Sequence, residues 1–299
     1  MQPLALRLVL GLALSLLIGI LAYRRKSLSA SGTGGAIIIG TIIFGFGGTV
    51  AGLLLVAFFI TSSALSHYKK TSLQKVSAAR SFDKNSRRDL GQVLANGGFA
   101  AMFAVGHFLT IGISPTTSVI LYAGLVGAIA TANADTWATE LGVLNHSRPR
   151  LITNLSRQVA PGVSGGVSLV GTLAAIAGSL VIGLLFGLLS LLDALGLTSL
   201  YIHTDWIGLA GAGIQTFIVV ATMSGTTGAL IDSWLGAAIQ ASYLSADKSN
   251  LTERAFEADG SRNVLVRGWS MVHNDTVNAL ATFAGGIMGM ASVAVSLLT

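Results

Sequence analysis

The amino-acid sequence predicts an all-α fold, a polytopic bundle of transmembrane helices. Only 18 Lys and Arg and 12 Asp and Glu occur in 299 residues, so charged residues make up 10% of the chain, whereas a soluble domain has about 25%. Hydrophobic residues make up 52%, and 37 residues are glycine. This composition excludes an ordinary soluble enzyme, a disordered chain and a nucleic-acid-binding module. Because the sequence contains no cysteine, disulfides and thiolate metal sites are also excluded.

Long stretches without Lys, Arg, Asp or Glu mark the membrane passes, since a transmembrane helix needs about 20 apolar residues. One pass is expected in each of 8–23, 158–192 and 276–299, and two in each of 27–68 and 90–134. The range 206–246 contains Asp232 as its one charged residue and must cross an odd number of times. It therefore predicts one helix with a broken or re-entrant piece near 225–235. The total is about eight crossings.

The connecting segments predict the orientation of a single integral membrane domain, residues 1–299. Basic residues concentrate in the loops 67–93, 146–160 and 246–272, whereas 193–205 contains two Asp and no Lys or Arg. Loops rich in Lys and Arg stay in the cytoplasm. The three basic loops are thus expected at the cytoplasmic face, and both chain termini at the other face.

A weak similarity links two glycine-rich segments, 33–41 and 164–172. In each, a hydroxyl residue and two glycines are followed by Gly-Thr at the same spacing. An internal structural repeat is one interpretation. The other interpretation is that these glycines serve close helix packing, since a glycine-rich membrane sequence produces such matches through its composition alone.

Four acids in or beside apolar runs are the first candidates for a functional site. An acid facing lipid would cost about 2.5–3.5 kcal/mol, so these side chains are expected to face a polar interior. The predicted topology puts all four near the cytoplasmic ends of their helices, where converging carboxylates favour a divalent cation. The predicted metal ligands are Asp135, Glu140, Asp232 and Asp275. Asn274 and Asn278, one helical turn apart, accompany the last of them.

Two further elements are candidates for binding phosphate. A glycine-rich turn before an apolar helix offers backbone N–H groups and a positive dipole end, and its candidate residues are Gly162, Ser164, Gly165 and Gly166. A plain helix cap is the alternative. The basic loop contributes Lys70 and Arg88, although many of its charges serve equally well as topology signals. Asn96 is expected as polar lining at the depth of the acids.

Five ordered motifs resemble those of the integral-membrane family of plant and cyanobacterial phytyl-phosphate kinases, whose animal and microbial relatives are transmembrane-protein-19-like. The motifs are 134–142, 148–153, 162–167, 232–237 and 274–278. The likeness spans roughly residues 32–290. The sequence departs from the family pattern at Ser66-His67-Tyr68 and at Asp89.

The resemblance implies an enzyme that converts phytyl phosphate and a nucleoside triphosphate into phytyl diphosphate, in phytol salvage for tocopherol and phylloquinone synthesis. It implies Mg²⁺ and a nucleotide donor, with CTP favoured over ATP or UTP. Asp135, Glu140, Asp232 and Arg88 would be catalytic, and the glycine turn, Lys70 and the asparagines would bind the nucleotide and phosphates. The expected partners are prenyl phosphate, nucleotide and membrane lipids, with no nucleic acid; a homodimer is an open alternative. The expected location is a plasma or thylakoid-type membrane, with the active site facing the cytoplasm.

Two other classes stay open at this stage. A secondary transporter would also have buried acids, broken helices and a repeat, but it predicts acids near the bilayer midplane. A non-catalytic lipid-binding scaffold would bind lipid without nucleotide. Acids and basic loops at one face favour the kinase.

Overall fold

A computed structural model describes residues 3–79, 81–83, 87–195, 214–245, 251–257 and 259–298. Seven of the described helices are long and apolar enough to cross a membrane, and one short helix, α3, lies between them. The helices are α1 (Leu4–Arg24), α2 (Ala30–His67), α3 (Leu73–Ala78), α4 (Leu90–Thr110), α5 (Pro115–Gly142), α6 (Leu169–Ala194), α7 (Ile214–Ala238) and α8 (Asn274–Ser296).

Helix α2 folds back on itself at Gly48, whose φ of +81° is outside the helical region. Gly32, before the bend, packs on the backbone carbonyl of Arg88. Phe58, after the bend, lies 5.5 Å from the Arg88 guanidinium. In a straight helix Gly32 and Phe58 would be about 39 Å apart, so α2 must form two arms. With its two arms counted separately, the described helices make eight passes, the number that the sequence predicts.

The bend is stabilised from α1. Arg7 Nη2 donates a hydrogen bond of 3.1 Å to the carbonyl oxygen of Phe46, two residues before the bend. Carbonyl groups at a helix end lack intrahelical partners, and a cation beside them is favourable. The positive φ at Gly48 is easily adopted only by glycine. The hydrogen bond from Arg7 and the backbone conformation of Gly48 therefore reverse the chain without a separate loop.

Helix α5 is the centre of the bundle, because its residues 122–134 are all buried. Helices α2, α4, α6, α7 and α8 pack around it, whereas α1 packs on α2. Successive passes run in opposite directions. The described residues of 68–89, 143–168 and 239–273 therefore share one end of the bundle, called the loop end below. Both ends of the described chain lie at the opposite end. Whether the loop end faces the cytoplasm stays a prediction.

The predicted broken or re-entrant piece near 225–235 is wrong, because α7 is helical from Ile214 to Ala238. Its glycines serve close packing instead: Gly225 lies against Ala130 and Gly228 against Thr131 of α5. The predicted external segment 193–205 lies largely outside the described residues.

The loop end contains two small antiparallel sheets, which the all-α prediction missed. The strands are β1 (Arg150–Leu151), β2 (Asn154–Gln158), β3 (Gly166–Val167), β4 (Ser242–Leu244), β5 (Leu251–Thr252) and β6 (Val264–Arg267). Their orders are β2-β1-β3 and β5-β4-β6. These short strands pair the backbone N–H and C=O groups of the loops that cover this end of the bundle. The suggested repeat finds no support here, since 33–41 is helical throughout, whereas 164–167 is a turn followed by a strand.

Candidate functional site

A cavity of about 850 Å³ opens at the loop end and extends between the helices. All thirteen residues that the sequence singles out line it: Lys70, Arg88, Asn96, Asp135, Glu140, Gly162, Ser164, Gly165, Gly166, Asp232, Asn274, Asp275 and Asn278. The cavity thus collects residues from α4, α5, α7, α8 and the loops. Their individual roles stay predictions.

Asp135 of α5 and Asp232 of α7 lie at the floor of the cavity. Each is six or seven residues from the loop end of its helix, which corresponds to about 10 Å. The two carboxylates are close enough for their charges to interact. The Oδ2 atom of Asp232 is buried and has no hydrogen-bond partner among the described residues. An unmet carboxylate oxygen beside a second carboxylate suits a cation ligand.

The sequence predicts Glu140 as a metal ligand, but both of its carboxylate oxygens already have protein partners. Lys75 Nζ lies 2.5 Å from Oε2, and Ser66 Oγ donates to Oε1 over 2.5 Å. Lys75 also donates to the carbonyl oxygen of Leu65, 2.7 Å away. This arrangement attaches α3 to the end of α5.

The four predicted carboxylates do not form one metal cluster. Within the described part of the chain, no three acids or histidines are arranged to hold a metal ion. Asp275 lies in the first turn of α8, where the helix dipole stabilises a negative charge, and Asn274 and Asn278 line the cavity beside it. The floor pair, Asp135 and Asp232, is the best-placed set of oxygen ligands.

Glu253 is a cavity residue that the sequence analysis missed. Gln240 Nε2 donates to its Oε1 over 2.7 Å, and the backbone N–H of Asp83 donates to its Oε2 over 3.4 Å. Burial raises the pKa of Glu253 to about 7 in spite of these hydrogen bonds. No sequence signal marks it, because it lies in a charged loop and its contacts join distant segments.

The basic side of the cavity centres on Arg88. Its guanidinium lies over the ring of Phe58 and makes no hydrogen bond within the described residues. Burial lowers the pKa of Arg88, and the nearby charge of Glu140 opposes that shift. An arginine nevertheless stays protonated, so Arg88 offers unused donors to an anion. Lys70 lies at the exposed rim, and the Asn96 amide donates to the carbonyl oxygen of Gln92.

The glycine turn at 162–166 is held tightly between the loops. Gly162 and Gly165 have φ values of +86° and +83°, and any Cβ on them would overlap Ala78 or Ala237. Arg267 Nη2 donates to the carbonyl oxygen of Ser164 over 2.9 Å. The sequence analysis also missed Arg267, whose role depends on this long-range contact.

The same turn is not a helix N-terminus, contrary to the sequence interpretation. Helix α6 begins later, at Leu169, and the Ser168 hydroxyl caps it by accepting from the N–H of Gly171. The N–H of Gly166 already donates to the carbonyl oxygen of Val163. A phosphate bound at this turn would therefore rely on other N–H groups and on nearby cations.

The arrangement combines an acidic floor with a basic rim in one cavity. Carboxylates attract a divalent cation, and the cations of the rim attract phosphate oxygens. Such a site can hold a metal-bound polyanion and bring a second phosphate up to it.

Comparison with known proteins supports the membrane assignment. The chain is 34% identical over 242 residues to Protein PGR of Arabidopsis thaliana, covering 78% of this chain and 79% of that one. It is 28% identical over 285 residues to an uncharacterized membrane protein of Methanocaldococcus jannaschii, covering 95% and 94%. It is 28% identical over 152 residues to Protein VTE6, chloroplastic, of Arabidopsis thaliana, covering 51% of this chain and 44% of that one.

No solved structure matches the chain. The family model described as "Integral membrane protein DUF92" matches residues 13–286. The family resemblance found in the motifs is thereby confirmed, and the chain belongs to the DUF92 family of integral membrane proteins.

Proposed function

We propose that the protein is a membrane-embedded prenyl-phosphate kinase that transfers the γ-phosphoryl group of a nucleoside triphosphate to a prenyl monophosphate. The observation that carries the proposal is the cavity itself. It joins two half-buried carboxylates, Asp135 and Asp232, to the Arg88 guanidinium, which makes no hydrogen bond to the described residues, at one end of a membrane bundle. The motif resemblance to phytyl-phosphate kinases supports phytyl phosphate as the acceptor and CTP as the favoured donor.

The residues of the floor fit Mg²⁺. This ion binds oxygen ligands and usually takes one or two carboxylates, with substrate phosphates and waters completing its shell. Asp135 and Asp232 would hold it, and the buried Oδ2 atom of Asp232 supplies an oxygen without another partner among the described residues. When bound, Mg²⁺ would neutralise charge on the nucleotide phosphates.

The chemistry requires little from a general base. A phosphate monoester has its second pKa near 6, so it is mostly dianionic at neutral pH. Its oxygen attacks the γ-phosphorus and forms the new P–O bond. The bond to the β,γ-bridging oxygen breaks, and the nucleoside diphosphate leaves. Arg88 and Lys70 would bind phosphate oxygens, so that catalysis rests on positioning and charge neutralisation.

The position of the acids supports the kinase over the secondary transporter. Asp135 and Asp232 lie about 10 Å from the loop end of their helices, beside the basic segments. A transporter favours acids near the midplane on broken helices, whereas α7 is continuous through Asp232. We further propose that the loop end faces the cytoplasm, where nucleotide is available, in a plasma or thylakoid-type membrane.

The test is phosphoryl transfer by the purified protein in detergent or lipid nanodiscs. Labelled CTP, ATP and UTP would each be offered with phytyl, geranylgeranyl or farnesyl phosphate, with and without Mg²⁺. Metal-dependent formation of a prenyl diphosphate is expected. A well-folded preparation that transfers phosphate to none of these acceptors would refute the proposal and make flux across proteoliposomes the next measurement.

A further inference from the structure

Helices α6 and α7 pack against each other, and towards the loop end residues of both line the cavity. Ser179 Oγ lies 3.0 Å from Thr226 Oγ1. One turn nearer the loop end, Ala175 and Ala229 pack in a buried layer with Ala134 of α5. These contacts close the space between α6 and α7 below the cavity floor.

Above this alanine layer, the facing side chains line the cavity. Thr172 of α6 and Leu230 and Ser233 of α7 are all cavity residues. The glycine turn closes the space from above, because Gly165 packs on Ala237. From Ala229 to Ala237 this stretch of α7 is about 12 Å long. The part of the cavity between this stretch and the facing residues of α6 is called the side window below.

The outer rim of the side window is apolar and unpartnered. Leu169 and Leu173 of α6 are 74% and 55% exposed, and Trp234 of α7 is 53% exposed. Leu230, one turn before Trp234 on the same face, is 38% exposed and also lines the cavity. In a membrane, this rim meets hydrocarbon, whereas the interior of the cavity is polar. The side window thus lies between an exposed apolar surface and the polar cavity that contains Asp232.

We infer that the hydrocarbon tail of a lipid phosphate occupies the side window, with its phosphate in the cavity and its tail in the bilayer. The inference rests on the proposed function for the phosphate end. The polar interior and Arg88 suit the headgroup, and the apolar rim suits the chain. On the α6 side the window is bordered by the small side chain of Thr172, with Ala175 at its base, and the occupant that we expect is a single chain with methyl branches, such as an isoprenoid.

The first test narrows the side window with Thr172→Phe. The Michaelis constant for a twenty-carbon prenyl phosphate should rise at least tenfold. The constants for nucleotide and for the five-carbon dimethylallyl phosphate should stay within twofold of wild type. The matched control is Leu184→Phe, an outward position further along α6 that is 51% exposed, which should behave as wild type. A Thr172→Phe enzyme that affects both acceptors equally, or neither, would overturn the inference.

A second test needs no turnover. A twenty-carbon prenyl phosphate with a terminal diazirine is photo-crosslinked to the protein, and the labelled peptides are identified by mass spectrometry. Labelling within 169–176 or 229–234, removed by excess unlabelled prenyl phosphate, is expected. Such labelling without phosphoryl transfer would keep the window and refute the kinase. Labelling that is confined to other helices, or that resists competition, would refute the window.

Discussion

The ion pair between Lys75 and Glu140 yields a sharp prediction, because it conflicts with a metal role for Glu140. The side chains are 8% and 21% exposed, and Nζ lies 2.5 Å from Oε2. Breaking a buried pair by removing one partner costs about 3–5 kcal/mol. Since Glu140 keeps some contact with the cavity, we expect Glu140→Gln to lower the free energy of unfolding by about 2–3 kcal/mol.

The assay is denaturant unfolding in detergent micelles, followed by the circular dichroism of the helices. Lys75→Met should destabilise the protein by a similar amount. The double variant should be more stable than the sum of the two single effects predicts, because the lone charge is gone. Mg²⁺ affinity should change less than twofold in folded Glu140→Gln. A variant as stable as wild type with tenfold weaker Mg²⁺ binding would show that Glu140 is a metal ligand.

Three further variants test other parts of the site. Arg88→Met should change the free energy of unfolding by less than about 1 kcal/mol, because the guanidinium makes no hydrogen bond within the described residues. The same variant should bind nucleotide at least tenfold more weakly in calorimetry, and unchanged binding would contradict the role of Arg88 in binding phosphate. Because the pKa of Glu253 is raised to about 7, the wild-type protein loses free energy of unfolding as the pH rises from about 4.5 through 7. Glu253→Gln should therefore be as stable as wild type at pH 4.5 and more stable by up to about 3 kcal/mol at pH 8. An equal difference in stability at both pH values would refute this. Gly165→Ala should destabilise by at least about 1–2 kcal/mol because of its φ of +83° and its overlap with Ala237; a neutral effect would show that the turn adopts another conformation.

The number of passes could be predicted from the sequence because it depends on local composition. Charge-free stretches must lie in lipid whatever the tertiary packing, and even the two arms of α2 follow from the length of 27–68. The position of the helix break could not be predicted. Gly48 and Gly225 are both glycines in apolar surroundings, and only their neighbours decide which one bends the chain: Arg7 at the bend, Ala130 against the other.

The candidate site was predictable where a residue is anomalous in its own segment. Asp135 and Asp232 stand out because an acid in an apolar run needs a polar partner. Glu253 and Arg267 lie in polar loops, where a charge is ordinary, and their roles depend on contacts with residues far away in the sequence. The pairing of Glu140 with Lys75 could not be predicted from local sequence patterns for the same reason, because 65 residues separate the two.

The most direct test of the central claim is transfer of the γ-phosphoryl group from labelled CTP to phytyl phosphate by wild type and Asp135→Asn, matched for helical content and membrane insertion. We predict Mg²⁺-dependent product for wild type and a loss of about a thousandfold or more for the variant. Comparable turnover by both proteins would contradict the role of the floor carboxylates, and no turnover by wild type with any donor would contradict the kinase itself.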